Sequence, residues 1–309
     1  MKAFISGGSG FIGSFIASNL ISLGHEVTIF DKNPTNLLGQ SERIRFIQGD
    51  LLEINGLADA MRGHDTVFHL AANADISKGV ADTKLDLNLT TIATYNILES
   101  MRLSDPKRII FLSGSGVYGI TDGAPVKETF APLIPVSLYG ANKLAAEGLI
   151  SAFANMFDLQ AIIFRPANVV GVGQTHGVLF DFLKKLKANP SELEILGDGN
   201  QTKSYLHVSD LYEAIMLVLN SQPERVQLFN VASDDVVDVN WIAQEVIRSL
   251  SLKSVNISRT GGAVGWRGDV SQIKLDTKKL KSVGWAPRFN SKEAVQKALN
   301  ELNVAKVGI

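Results

Sequence analysis

Two side chains that can move a proton, Tyr139 and Lys143, lie four residues apart in the segment SLYGANKLAAE. This spacing places them on one face of a helix. A tyrosine hydroxyl has an ordinary pKa of about 10, which is too high for an efficient base at neutral pH. A nearby positive charge stabilises the phenolate and so lowers this pKa. The pair therefore predicts proton transfer to and from a hydroxyl group, and the alternative is a half-buried tyrosine on a surface helix.

Three glycines in the segment SGGSGFIG, Gly7, Gly10 and Gly13, give a second chemical signal. An apolar segment typical of a buried strand precedes them, and apolar residues at helical spacing follow them. The first glycine permits a tight turn, the second lets the backbone approach a pyrophosphate, and the third lets the helix pack close to the strand. The first N–H groups of the helix would face the phosphates. The pattern predicts a dinucleotide-binding turn, and the alternative is a glycine-rich turn without a ligand.

The end of the next predicted strand indicates which dinucleotide binds. The segment EVTIFD ends at Asp31, 18 residues after Gly13, where a carboxylate can accept hydrogen bonds from the adenosine ribose. Lys32 and Asn33 follow, so no arginine is present there to hold a 2′-phosphate. The sequence therefore favours NAD over NADP, and NAD would move a hydride while Tyr139 moves a proton.

Further strands and helices along the chain would position these groups. Strands are predicted in RIRFIQGDL, TVFHLAAN, RIIFLSGSGVYG and QAIIFRPAN, and helical patterns cover residues 84–103 and 138–157. This alternation predicts an α/β fold with a doubly wound parallel sheet. In such sheets, ligands bind at the carboxyl ends of the strands.

The composition narrows the class of protein. The chain has 31 acidic and 30 basic residues, which gives no electrostatic reason to expect nucleic acid or an anionic membrane as a partner. It has no cysteine, which excludes disulfides, thiol catalysis and cysteine-ligated metals. Because it also has no apolar run of about 18 residues, we expect a cytoplasmic protein without a metal site.

Motifs along nearly the whole chain extend these patterns. They are HLAA at 69–72, VYG at 117–119, YGANK at 139–143, RPANVVG at 165–171, LGDGNQTKSYLHVSD at 196–210 and WRGDV at 266–270. Together with the glycine turn, they resemble the extended short-chain dehydrogenase/reductase family. They are most similar to its NAD-dependent sugar-nucleotide epimerase/dehydratase branch, whose UDP-glucose 4-epimerase-like members they match best.

The resemblance implies two domains and a role for each matching position. We expect a Rossmann domain over 1–165 with a return segment near 205–235, and a smaller C-terminal substrate-binding α/β domain over 166–204 and 236–309. The implied cofactor site consists of Gly7, Gly10, Phe11, Ile12, Gly13, Asp31, Lys32, Asp50, Leu51, Leu70, Ala71, Ala72, Asn88, Ser113, Tyr139 and Lys143. The implied nucleotide-sugar site consists of Asn73, Asn168, His176, Lys203 and Arg267.

Two cations of the implied sugar-nucleotide site, Lys203 and Arg267, would lie near the phosphates. Lys203 stands where the family often has arginine, so its contact would be a single point charge. The alternative for both is an ordinary surface cation. For His176, a loop histidine with no catalytic part is an equally good interpretation.

One position departs from the family pattern. The family usually has a serine or threonine four residues before the tyrosine of VYG, and its hydroxyl bonds the reacting sugar oxygen. Here that residue is Gly114, flanked by Ser113 and Ser115. In a strand, both neighbours would point to the opposite face from residue 114, so we hypothesise that a local twist or bulge brings Ser115 into place.

The same segment helps to separate the reactions of the family. Its 4,6-dehydratases carry an Asp-Glu pair where this chain has Ser115–Gly116, and its decarboxylases keep a glutamate at the position of Gly116. The resemblance therefore favours 4-epimerisation of UDP-glucose or UDP-galactose through a transient 4-keto sugar. Two alternatives stay open: a nucleotide-sugar dehydrogenase or reductase that releases NADH, and an NAD-binding sensor impaired in catalysis by Gly114.

The resemblance also implies a homodimer. In the family, two long helices from each subunit pack as a four-helix bundle, and the segments 84–103 and 138–157 would supply them here. The alternative is a helix pair with core on one side and solvent on the other. The expected face includes Ala145, Ala146, Leu149, Ile150 and Phe153.

Overall fold

Strands and helices alternate through the computed structural model, which describes residues 1–73, 75–76, 78–221 and 224–304. The strands are β1 (Lys2–Ser6), β2 (Glu26–Asp31), β3 (Ile44–Gln48), β4 (Thr66–His69), β5 (Arg108–Leu112), β6 (Gln160–Pro166), β7 (Asn168–Val170), β8 (Glu192–Ile195), β9 (Thr202–Lys203), β10 (Tyr205–His207), β11 (Val226–Val231), β12 (Val237–Asp238) and β13 (Asn256–Arg259). The α-helices are α1 (Phe11–Ser22), α2 (Leu57–Met61), α3 (Lys78–Ala81), α4 (Thr83–Asp86), α5 (Ala93–Arg102), α6 (Leu138–Met156), α7 (Val178–Ala188), α8 (Val208–Leu219), α9 (Val239–Ser249), α10 (Lys278–Ser282) and α11 (Ser291–Val304). A π-helix covers Leu87–Ile92, and a 3-10 helix covers Ser115–Tyr118.

The central sheet has seven strands in the order β11-β6-β5-β4-β1-β2-β3. The pairings from β6 to β3 are all parallel. The chain therefore winds outward in both directions from β1, and the carboxyl ends of these strands share one edge of the sheet. The prediction of an α/β fold with a doubly wound parallel sheet is confirmed.

The core of the sheet forms because apolar side chains of the strands pack against two helices. Buried residues of β1, β5 and β6 form one cluster with residues of α5 and α6. Among them, Phe4, Phe111, Ile97 and Ile150 are fully buried. Burying such side chains contributes roughly 1.5–3 kcal/mol each relative to leaving them in water.

The chain divides into two compact units, each assembled from three segments. The first consists of Met1–Gly114, Ala141–Arg165 and Met216–Phe229. The second consists of Ser115–Gly140, Pro166–Ile215 and Asn230–Ile309. The second unit has its own apolar core, built by α7, α9 and α11 around β8 and β10. Its strands pair as β10-β7, β12-β9 and β13-β8.

Two segments of the first half differ from the predicted elements. The strand predicted over RIIFLSGSGVYG ends at Leu112, and a 3-10 helix follows at Ser115–Tyr118. The sequence does not reveal that β5 ends at Leu112, because the valine and tyrosine that follow also suit a strand. The helix predicted over 84–103 is divided into α4, a π-helix and α5. A period of apolar residues does not reveal a single wider turn of this kind.

In the described ranges, no helix is both long enough and apolar enough to cross a membrane.

Candidate active site

The glycine turn lies between the carboxyl end of β1 and the start of α1. Gly7 has a φ of +76°, and a Cβ there would lie 2.6 Å from the backbone nitrogen of Ala71. A Cβ at Gly13 would lie 2.1 Å from the carbonyl oxygen of Gly7. Gly10 is the N-cap of α1 and supplies no side-chain hydrogen bond, and the first turn of the helix has no acidic residue. Its first N–H groups are therefore not competed for by a carboxylate, as an anion site requires.

Asp31 lies at the end of β2 and is held by the glycine turn. Its carboxylate accepts hydrogen bonds from the backbone N–H groups of Ser9 and Asn33, both at 3.0 Å. The next side chain, Lys32, forms an ion pair with Asp50, with 3.7 Å between nitrogen and oxygen. The structure thus groups three predicted cofactor residues and places the Asp31 carboxylate at the end of β2, where its charge disfavours a 2′-phosphate on the adenosine ribose.

The remaining predicted cofactor residues of the first unit follow the ends of neighbouring strands. The backbone N–H of Leu70 donates to the Ser6 carbonyl at 3.0 Å, and Ala71 is the residue that approaches Gly7. The carbonyl of Leu51 accepts a hydrogen bond from the Asn96 amide at 2.7 Å. The other predicted positions of this group are Phe11 and Ile12 in α1, Ala72 after β4 and Asn88 in the π-helix.

Tyr139 and Lys143 lie one turn apart on α6, as predicted. Lys143 is 3% exposed, and its ammonium donates to the carbonyl of Leu112 at 2.7 Å. The Nζ atom lies 4.7 Å from the ring centroid of Phe111. Burial lowers the pKa of Lys143 to about 8, although the carboxylates of Glu147 and Asp86 raise it. The ammonium is therefore anchored at the carboxyl end of β5.

The start of α6 packs against the 3-10 helix through two glycines. A Cβ at Gly140 would lie 2.4 Å from the carbonyl oxygen of Gly116. A Cβ at Gly116 would lie 3.8 Å from Cδ1 of Tyr139, which is ordinary van der Waals contact. Any side chain at position 116 would therefore touch the ring of Tyr139. The sequence patterns did not predict this contact.

The serines around Gly114 lie in different local structures. The N–H of Ser113 donates to the Phe164 carbonyl at 2.8 Å, just beyond the end of β5. The Ser113 hydroxyl is buried and has no hydrogen-bond partner among the described residues. Ser115 is half-buried and begins the 3-10 helix. Strand alternation over 113–115 is therefore a wrong expectation, because the chain leaves the extended conformation after Leu112.

His69 is a buried residue of this region whose contacts the HLAA motif did not reveal. Its two ring nitrogens are hydrogen-bonded to the hydroxyls of Ser6, at 2.7 Å, and Thr94, at 2.9 Å. Burial lowers the pKa of His69 to about 3, and the Lys143 charge contributes to this shift. The ring stacks on Phe111 with 5.6 Å between centroids. The neutral imidazole of His69 thus links β1, β4 and α5. It also packs against Phe111, whose ring contacts the Lys143 ammonium.

Asp86 is a second buried group that the sequence patterns missed. The side chain is fully buried, and its Oδ1 atom accepts a hydrogen bond from the Asn73 amide at 3.0 Å. Its Oδ2 atom has no hydrogen-bond partner among the described residues. The amide of Asn73 also bonds the backbone of Asp75 in both directions. The predicted substrate role of Asn73 therefore concerns a side chain that already has three hydrogen bonds in the protein.

The second unit brings two predicted substrate residues into one polar cluster. β7 pairs with β10 so that Asn168 lies opposite Tyr205. The ammonium of Lys203 forms an ion pair with Asp269. Burial raises the pKa of Tyr205 well above its ordinary value, and the negative charge of Asp269 adds to this effect. Asp269 belongs to the WRGDV motif and was not among the predicted site residues.

The other two predicted substrate residues lie on loops of the second unit. His176 is half-buried, and its carbonyl accepts a hydrogen bond from the Gln174 amide at 2.7 Å. Arg267 is exposed and precedes Asp269 by two residues. In the part of the chain that the structure describes, no group of three or more His, Asp or Glu side chains could hold a metal ion.

Comparison with known proteins places these features in a family. The model of the NAD dependent epimerase/dehydratase family matches residues 3–232. A UDP-glucose 4-epimerase of Mycolicibacterium smegmatis is 28% identical, over 97% of each chain. A solved UDP-galactose 4-epimerase is 33% identical over 99% of each chain, with a TM-score of 0.88. MoeE5, solved in complex with UDP-glucose and NAD, is 28% identical over 99% of this chain and 100% of its own, with a TM-score of 0.89. The region that the family model matches includes the glycine turn, Tyr139 and Lys143.

Proposed function

The chain belongs to the NAD dependent epimerase/dehydratase family, and on that premise we propose that it is an NAD-dependent epimerase that interconverts UDP-glucose and UDP-galactose at C4. The observation that carries the proposal is the pair on α6, with Tyr139 half-buried and the Lys143 ammonium anchored to the Leu112 carbonyl. Relatives named as UDP-glucose or UDP-galactose 4-epimerases support this choice of sugar nucleotide.

Residues of the glycine turn and of the carboxyl end of β5 fit NAD. The backbone of the glycine turn leaves no room for a Cβ at Gly7 or Gly13, and the first turn of α1 is open to a phosphate. The buried Ser113 hydroxyl has no hydrogen-bond partner among the described residues. A bound ligand would supply the missing partner. When bound, NAD supplies the acceptor and donor of a hydride. We assign its contacts to Gly7, Gly10, Phe11, Ile12, Gly13, Asp31, Lys32, Asp50, Leu51, Leu70, Ala71, Ala72, Asn88, Ser113, Tyr139 and Lys143.

The proton is moved by Tyr139. The Tyr139 phenolate accepts the proton of the sugar 4-hydroxyl. The resulting tyrosine hydroxyl returns the proton after the 4-keto sugar has turned. Lys143 stabilises the phenolate by its charge, and the hydrogen bond to Leu112 keeps that charge in place. Ser113 or Ser115 donates the hydrogen bond to the sugar oxygen that the missing side chain of Gly114 cannot make. The unpartnered hydroxyl favours Ser113 for this role.

The second unit holds the nucleotide in this proposal. Lys203 and Arg267 face the diphosphate, and Asn168 lies beside them, whereas His176 and Asn73 contribute to the sugar site. Lys203 is already paired with Asp269, so it meets a phosphate with a partly neutralised charge. Tight binding of UDP and loose binding of the sugar let the keto sugar turn without leaving. We propose a cofactor domain over 1–165 with 205–235, and a substrate domain over 166–204 and 236–309. These bounds differ from the compact units, because 115–140 and 205–215 belong to the second unit.

We also propose a homodimer in which α5 and α6 form a four-helix bundle with the partner. The expected face needs a correction, because Ala146 and Ile150 are buried in the core of their own unit. The exposed residues of the two helices include Ala145 and Ala152 on α6 and Tyr95, 44% exposed, on α5. These side chains, with Leu149 and Phe153 at the edge, supply the face.

A direct assay tests the proposed reaction. The purified protein is examined for absorbance of retained NAD(H) and is then given UDP-galactose. Formation of UDP-glucose without net NADH supports the epimerase. Stoichiometric NADH would instead identify a dehydrogenase, and bound NAD without turnover would identify a sensor impaired at Gly114.

A further inference from the structure

We infer that Asp86 is the counter-charge that holds the Lys143 ammonium in the dry interior of the first unit. Asp86 is thereby a positioning residue for proton transfer by Tyr139, a role that rests on the proposed function. Neither the family motifs nor the helical spacing indicated it. The inference comes from the charges that surround Lys143 and from the way each of them is compensated.

Asp86 is a buried carboxylate that no cation contacts among the described residues. It has 0% exposed surface at the end of α4, and its one hydrogen bond there comes from the neutral amide of Asn73. Its second oxygen has no hydrogen-bond partner in the same ranges. A buried carboxylate is costly unless an opposite charge or several hydrogen bonds stabilise it. The charge of Asp86 therefore requires a positive group at longer range.

Lys143 carries the complementary charge. Its ammonium is buried, and its contacts include the neutral Leu112 carbonyl and the face of Phe111. The π-helix that follows Asp86 is tied to α6 next to Lys143, because the Thr91 hydroxyl donates to Asn142 at 2.7 Å. The two buried charges therefore lie on elements that are joined directly.

Among the other titratable groups that face Lys143, Glu147 also raises the pKa of Lys143, and more than Asp86 does, but its carboxylate already has a cation of its own. Glu147, one turn along α6, is bound by Arg165 of β6 through two hydrogen bonds of 2.9 and 2.6 Å, and both side chains are buried. That pair is close to neutral as a unit. His69 of β4 is buried with a pKa of about 3, so it carries no charge at neutral pH. Among these groups, Asp86 is the one whose negative charge has no cation of its own.

Direct titration of Lys143 tests the inference without relying on catalysis. The protein is labelled with carbon-13 at the lysine Cε atoms, and the Lys143 signal is assigned by its loss in Lys143→Arg. We expect a midpoint of about 8 in the unmodified protein. In Asp86→Asn, which keeps the acceptor for Asn73 but removes the charge, we expect the midpoint to fall by about one pH unit. An unchanged midpoint in Asp86→Asn overturns the inference.

Two further variants serve as controls for the titration of Lys143. Glu99→Gln removes a half-buried carboxylate of α5 that is paired with Arg102, and it should leave the Lys143 midpoint unchanged. Asp86→Ser removes the same charge with a smaller side chain, and it should lower the midpoint as Asp86→Asn does. In the unmodified protein, a titration midpoint of Lys143 below pH 7 overturns the inference.

The assay with UDP-galactose adds a second readout. Loss of the Lys143 charge should end turnover at high pH. In Asp86→Asn, the alkaline limb of the pH profile of kcat should therefore move to lower pH by the same amount as the titration midpoint of Lys143. A purely structural role would lower kcat at all pH values without moving that limb, and this result contradicts the inference. If the unmodified protein does not convert UDP-galactose, the proposed function fails, whereas the titration of Lys143 still decides the role of Asp86.

Discussion

At the scale of single residues, the chemistry depends on how one cation is held. The Lys143 ammonium lies at the carboxyl end of β5, bonded to the Leu112 carbonyl and above the ring of Phe111. Burial favours the neutral amine, and the nearby carboxylates favour the ammonium. A cation balanced in this way can stabilise a phenolate at neutral pH and respond to small changes in its surroundings.

Removal of the Tyr139 hydroxyl should stop the reaction and leave the cofactor site in place. For Tyr139→Phe we expect kcat to fall by roughly 10²–10⁴-fold, because a positioned acid or base contributes about that much. NAD should still be retained, as measured by absorbance, because the other assigned contacts of the cofactor are intact. Tyr95→Phe, which alters an exposed tyrosine of α5, is the matched control and should keep full activity.

The serines beside Gly114 should differ in importance. If Ser113 supplies the missing hydrogen bond, Ser113→Ala should lower kcat by about 10²–10³-fold, the usual effect of losing an oxyanion-hole donor. Ser115→Ala should then be nearly silent, and the reverse result would assign the role to Ser115. Unchanged turnover in both variants would exclude the idea that a neighbouring serine replaces the hydroxyl.

The buried imidazole of His69 should make the protein sensitive to acid. Its pKa is about 3 in the folded protein and about 6.5 in an unfolded chain, so only the unfolded chain binds a proton between these values. Stability should therefore fall as the pH drops below about 6.5, by up to about 1.4 kcal/mol per pH unit from this group. His69→Gln should flatten the dependence of the free energy of unfolding on pH, measured with urea. His176→Gln, in a loop of the second unit, should keep the steep dependence.

At the scale of elements, β5 and the helix predicted over 84–103 are shorter in the structure than the sequence pattern indicates. The positions of β1, α1, β2 and α6 could be predicted, because glycines and apolar periodicity mark their ends. The end of β5 and the 3-10 helix could not, because the residues of SGSGVYG fit a strand as well. A tight backbone contact directly follows the 3-10 helix, and no local pattern indicates it: a Cβ at Gly119 would lie 1.9 Å from the Ile134 carbonyl oxygen.

The backbone contact between the 3-10 helix and α6 should be intolerant of a methyl group. Gly140→Ala places a Cβ 2.4 Å from the Gly116 carbonyl, and overpacking of this kind typically costs about 1–3 kcal/mol. We expect a lower urea midpoint and reduced activity, because Tyr139 is the preceding residue. Gly148→Ala adds a methyl group to the same helix where nothing lies within 4 Å. It should be neutral or slightly stabilising, so equal destabilisation by both variants would refute the role of this contact.

At the scale of the whole molecule, the family and the α/β class follow from sequence, whereas the charge balance at the site does not. The glycine turn precedes Lys143 by more than a hundred residues, and only the order of the strands brings the turn and the Lys143 ammonium to one edge of the sheet. Asp86 and His69 gave no such signal. A single acid or histidine in an apolar segment is ordinary until its burial and its partners are known.

The proposed dimer can be tested on the exposed face of α6. Ala145→Arg places a charge at the centre of the expected helix bundle and should convert a dimer into a monomer at micromolar concentration, measured by light scattering. Lys187→Ala, on α7 of the second unit, should leave the molecular mass unchanged. A monomer in the unmodified protein would contradict the bundle.

The chain passes from one compact unit to the other five times, after Gly114, Gly140, Arg165, Ile215 and Phe229. Neither unit is therefore encoded by one continuous stretch of gene. One passage falls inside α6, so Tyr139 belongs to the second unit and Lys143 to the first. Exchange of one whole unit with a relative would separate the base that we propose from the cation that we propose stabilises it, so we expect new sugar preferences to arise by separate substitutions.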